Sequence, residues 1–176
     1  MSQPTATATL NLGFLTVLHE ASGYLGGYLV TNVWGRPLEF RLSTAVQPNR
    51  VQQILYGDTL QPYIHADLIG KTLLDKTATP TNLILTDREP VLELRTRLEV
   101  PVVWLAAANE TARGAIVRPA TDNEGPVLCH PRFPADVAAA RELLDRIDGA
   151  IDLAEPFGRI RDAIAEARKV GVAIRN

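Results

Sequence analysis

The chain has 176 residues, 46% hydrophobic and 22% charged, with a formal net charge of −2. That balance supports a buried core and rules out chain-wide disorder. With 18 basic against 20 acidic residues and no basic run, it argues against a nucleic-acid partner, and its single cysteine allows no internal disulfide and no CxxC metal cluster.

The opening MSQPTATATL is polar and lacks the basic start and apolar core of a signal peptide, so residues 1–9 read as a flexible tail. No later window approaches the ~20 apolar residues of a membrane span. The expected location is a reducing cytoplasm. LNLGFLTVL (10–18) is dense in apolar residues and predicts a strand buried on both faces. HEASG (19–23) turns the chain, with His19 and Glu20 in solvent. YLGGYLVT (24–31) predicts a second strand, whose glycine pair signals a bulge or a close backbone approach.

NVWGRP (32–37) is a tight turn in which Gly35 supplies a positive φ and Pro37 fixes the exit. Trp34 and Arg36 at this corner are candidate binding residues, suited to stack on a ring. The plainer reading is a hairpin bend whose tryptophan covers the sheet edge. LEFRLS (38–43) alternates, with Leu38, Phe40 and Leu42 on one face and Glu39 and Arg41 on the other, and completes an antiparallel meander.

The period then changes. Pro48 precedes a short helix that Gly57 stops, with Val51, Ile54 and Leu55 on one face. Asp58 caps a second helix, in which Leu60, Ile64 and Leu68 stack at helical spacing, joined by Ile69 and Leu73. NLILT (82–86) predicts a strand and DREP a turn. VLELRTRLEV (91–100) alternates most cleanly and predicts a strand with Glu93, Arg95, Arg97 and Glu99 outward. Arg95 and Arg97 join the candidate binding residues, facing a partner or a charge ladder with Glu39 and Arg41. VVWLAA, AIVRP and PVLCHPRFP predict further strands. Two helices end the chain, one beginning at Pro134 and one at Pro156 that Gly171 stops.

Three motif classes are absent: no glycine-rich loop enters a helix, no GxxxxGK[ST] phosphate loop occurs (Gly70-Lys71-Thr72 lacks the earlier glycine), and neither HExxH nor GxSxG is present. His19, His65 and His130 show no metal-ligand spacing. Cys129, flanked by Val127 and Leu128, reads as a buried thiol, and its neighbour His130 points the other way on an extended segment. No catalytic residue, cofactor or metal is implied.

The predicted fold is α+β: a mainly antiparallel sheet (a three-stranded meander, helices, then more strands) over residues 10–130, with a C-terminal helical pair at 131–176 packed on it. The absence of a catalytic constellation favours a non-catalytic binding or scaffolding module with a protein partner, such as a homodimer. The alternative is an enzyme whose site assembles from His65, Cys129, His130 and nearby acids, with metal-assisted hydrolysis as its chemistry.

Overall fold

The computed structural model describes residues 9–110 and 113–174; the predicted tail falls almost wholly outside them. Strands β1 (Asn11–Glu20), β2 (Gly23–Asn32) and β3 (Pro37–Leu42) form the expected antiparallel meander. β4 (Leu83–Thr86) and β5 (Val102–Leu105) run parallel to β1, and β7 (Val127–Cys129) pairs antiparallel with both β5 and β6 (Ala115–Arg118). Together they make one mixed, mostly antiparallel sheet of seven strands in the order β3-β2-β1-β4-β5-β7-β6.

Four helices cover it among the described residues. Helix α1 (Arg50–Tyr56) starts on a capping box, in which the Asn49 side chain accepts from Gln52 N–H (2.8 Å) and Gln52 reaches back to Asn49 N–H (3.0 Å). The expected apolar stripe of α1 is not buried: Val51, Ile54 and Leu55 are all exposed. Helix α2 (residues 60–75) is continuous, with a π-helical stretch at Tyr63–Gly70, and seats Leu60, Ile64, Ile69 and Leu73 on one face of the sheet against Leu15, Val17 and Tyr28. Helices α3 (Asp136–Asp145) and α4 (Glu155–Ile174) cover the other face, where Ala140, Leu144, Phe157, Ile160 and Ile164 meet Phe14, Leu29, Leu85 and Val103. No described helix is long and apolar enough to cross a membrane.

The glycine pair of β2 is where the helices come closest. A Cβ on Gly26 would lie 2.1 Å from Ile69 of α2, and one on Gly27 would lie 2.4 Å from Ile160 of α4. Alternation sends these two positions to opposite faces, so both layers touch the backbone of one strand.

Three expectations fail locally. Residues 91–97 lie in a 3₁₀ helix, Glu89–Arg97, not in a strand. Pro90 stands at its first turn, and Val91, Leu92 and Leu94 are buried beside α2, a spacing that period-two alternation does not produce. The ladder with β3 is therefore absent: Glu39 instead accepts the N–H groups of Ala78 and Thr79 and the Thr79 hydroxyl. Helix α4 also runs through Gly171, since a mid-helix glycine costs only about 1 kcal/mol.

Candidate functional site

In sheets with parallel strands, ligands sit beyond the carboxyl ends of those strands. Here that edge lies where β4 and β5 end beside the middle of β1, which runs on to Glu20. The register pairs Leu15 with Thr86 and Thr86 with Trp104, which sets Asp87, one residue past β4, next to Thr16 of β1.

Thr16 is fully buried, and its hydroxyl donates to Asp87 Oδ1 (2.7 Å). Arg161 of α4 donates to Asp87 Oδ2. Arg88 Nε stands 3.9 Å from Oδ1. Thr86 orients that arginine by accepting its N–H at 3.1 Å. One carboxylate is thus oriented by a hydroxyl and a guanidinium, with a second guanidinium beside it. A shallow cavity of about 440 Å³ opens here, lined by Asp87, Arg88, Glu89, Trp104, Glu110 and Arg113. Farther along the edge, Glu20 at the end of β1 pairs with Arg168 of α4, which also donates to Ser22 Oγ (3.3 Å).

On the α2 face of the same edge, His19 stacks on Tyr24 (centroids 4.0 Å apart, interplanar angle 1°), and Tyr24 meets His65 edge-on at 5.7 Å. His19 therefore belongs to β1 and its ring is engaged, where the sequence predicts a solvated turn. Nδ1 of His65 lies 2.8 Å from the Gln61 carbonyl, a contact that needs the Nδ1–H tautomer. Burial is the largest cause that holds the His65 pKa down to about 4, with Arg88 and His19 pushing the same way and the Gln61 bond opposing. The unfolded chain takes up a proton near pH 6.5 that the folded one refuses until about pH 4. Stability is then fully present above pH 6.5 and falls as pH drops toward 4, by up to about 3 kcal/mol. Urea melts at pH 7 and pH 4.5 should show this fall, and His65→Leu should flatten it.

The other members of the sequence-derived enzyme set do not join His65. His130 sits against Glu93 (Nε2–Oε2 3.0 Å) and accepts the Arg132 N–H on Nδ1 (3.1 Å), so both ring nitrogens are occupied in a neutral tautomer. Cys129 is buried among the side chains under α3 and α4, as expected, and burial raises its pKa. Arg95 is held by Asp136 (2.6 Å) and Arg97 by Asp67 (3.1 Å), so both cations are engaged within the fold. Trp34 is 71% exposed and does not cover the sheet edge. Among the described residues no three His, Cys, Asp or Glu side chains are grouped to hold a metal ion. The two oxygens of Asp87 already have a hydroxyl and a guanidinium as partners.

Sequence reasoning missed Asp87, Thr16 and Arg161. The available signal was LILTD, an apolar strand that ends in a carboxylate.

No protein-family model matches the chain, and no curated protein matches it. Among solved structures, endonuclease V from Streptomyces avermitilis superposes with a TM-score of 0.54 at 14% identity, over 91% of this chain and 83% of that one. Human endonuclease V gives 0.49 at 9% identity over 94% and 89%, and the Bacillus subtilis protein 0.46 at 13% over 95% and 82%. At these identities the likeness is one of fold. It corrects two expectations. A non-catalytic scaffold working through protein contacts is not what this architecture resembles; a nuclease is. The exclusion of nucleic acid on net charge is corrected as well, because a structure that superposes on this fold is an endonuclease; Arg88, Arg161 and Arg168 meet at one edge, each beside a carboxylate.

Proposed function

We propose that the protein processes nucleic acid at the carboxyl edge of β4 and β5, with Asp87 as the acting carboxylate. The observation that carries this reading is Asp87 itself: a carboxylate oriented by Thr16 and Arg161 at the end of a parallel strand, in a fold shared with a known endonuclease. Phosphodiester hydrolysis needs a positioned water, a group to take its proton, and positive charge near the non-bridging oxygens. Asp87 accepts the proton, Thr16 and Arg161 fix its carboxylate plane, and the half-exposed Arg88 and Arg168 meet phosphate. The grouping around Asp87 does not fit a multi-carboxylate cation cage, so no step is routed through a metal. This keeps the enzyme alternative but moves it from His65, Cys129 and His130 to the strand edge.

The test is cleavage of end-labelled single- and double-stranded DNA and RNA oligonucleotides by the full chain. Asp87→Asn should lower cleavage by about 100-fold or more while the melting temperature stays close to wild type. Arg88→Ala should weaken binding across all sequences and reduce the salt slope by about 1. Absence of cleavage on every substrate, or an Asp87→Asn variant as active as wild type, overturns the reading.

A further inference from the structure

A second site lies at the opposite end of β1, beside the Trp34 turn. The turn is held from within. Asn32 Oδ1 accepts the N–H groups of Trp34 (2.9 Å) and Arg36 (3.0 Å), and Gly35 N–H closes on the Asn32 carbonyl (3.1 Å). Gly35 has φ +84°, and its carbonyl accepts from Arg159 of α4 at 2.9 Å. The corner is therefore pinned to the helix, with its indole in solvent at 71% exposure. A large aromatic held in solvent on a pinned turn is free to stack on a ligand at little ordering cost.

The indole borders a cavity of about 350 Å³, at the lower end of small-molecule pocket sizes. Leu12 and Phe14 line its apolar part, and Asp152, Glu155 and Arg159 its polar part. Asp152 Oδ1 accepts the Ala154 N–H (2.9 Å), which fixes that carboxylate on the wall. Glu155 is tied to Arg159 (3.0 Å), so Asp152 is the better placed acceptor for an incoming donor. Arg36, next to Gly35 in the turn, is exposed, and no carboxylate pairs with it among the described residues.

We infer that this cavity is a nucleobase pocket. It takes a base that stacks on Trp34, gives its adjacent N–H groups to Asp152, and leaves its phosphate to Arg36. Guanine fits best, because its ring N–H and exocyclic amine lie side by side and match the two oxygens of a carboxylate. The same chemistry serves a free guanosine nucleotide or an unpaired guanine in a strand. The pocket is distinct from the Asp87 edge: its walls Leu12 and Phe14 stand about 14 and 7 Å from Thr16 along β1 by strand rise.

The chain has two tryptophans, and the other, Trp104, lines the cavity at Asp87, so quenching is read in a Trp104→Phe chain, where it reports on Trp34 alone. The full chain is titrated with guanosine 5′-monophosphate, adenosine 5′-monophosphate and short single-stranded oligonucleotides with and without guanine. Saturable quenching by guanosine monophosphate is expected, with adenosine monophosphate at least about fivefold weaker. For Trp34→Ala, which has no tryptophan at the site, calorimetry should show affinity down about 10-fold, with Trp34→Phe recovering part of it. Asp152→Asn should lose the preference for guanine. Tighter binding of the oligonucleotide than the mononucleotide assigns the pocket to a strand, and the reverse order to a free nucleotide. No saturable quenching up to about 1 mM, or unchanged affinity in a Trp34→Ala chain that melts normally, overturns it.

Discussion

Arg95→Leu should destabilise the protein by about 3–5 kcal/mol, a loss of roughly 10 °C in melting temperature for a chain of this length. Arg95 links three elements. It donates to both oxygens of Asp136 at the start of α3 (2.6 and 3.3 Å), donates to the Leu98 carbonyl, and stands 4.1 Å over the Phe133 ring. The side chains of the pair are 15% and 9% exposed, so removing the guanidinium strands a carboxylate with little water to solvate it. The penalty comes mainly from that orphaned charge, and Arg95→Met combined with Asp136→Leu should recover most of it. Urea melts of the single and double variants measure both numbers. A loss under about 1 kcal/mol for Arg95→Leu would mean that the pair is solvated and does not hold α3 to the 3₁₀ helix.

Gly27→Val should cost about 3 kcal/mol, at the upper end for an overpacked core. Its Cβ alone would lie 2.4 Å from Ile160 Cγ2, and valine adds two further methyl carbons in the same space. Ile160 is 1% exposed and packs under α4, so the helix must lift or the strand must bend. Ile160→Ala in the same chain should relieve part of the clash, which makes the coupling energy of the double-mutant cycle favourable. Additive losses would show that the strain lies elsewhere. Gly26→Val should behave alike through Ile69 on the other face.

These two sites mark what was legible in the sequence and what was not. The meander, a strand at 82–86 and the amphipathic helices follow from apolar patterning, because burial on one or two faces imposes it directly on the residues, while the parallel direction of that strand does not. The glycine pair, read as a bulge or a close approach, is the second of these. Segment 91–100 did not read correctly, since Leu92 and Leu94 satisfy a period of two while the buried set that decides the matter is Val91, Leu92 and Leu94. The stripe on α1 has helical spacing but faces water.

The candidate site was largely hidden for a different reason. Thr16 and Arg161 lie 71 and 74 positions from Asp87, so their meeting is a property of strand order and helix placement that no local pattern encodes. Net charge was equally uninformative about the edge, being a sum over the whole surface. The Trp34 corner was half legible: its turn chemistry is written in NVWGRP, but the cavity beside it needs the start of α4, more than a hundred residues later.

Helix α4 touches both ends of β1, through Arg159 at the Gly35 carbonyl and through Arg161 and Arg168 at Asp87 and Glu20. An opening that lifted this helix from the sheet would dismantle the two places together. Whatever binds at one end and resists that opening steadies the other, and by thermodynamic reciprocity the influence runs equally in both directions.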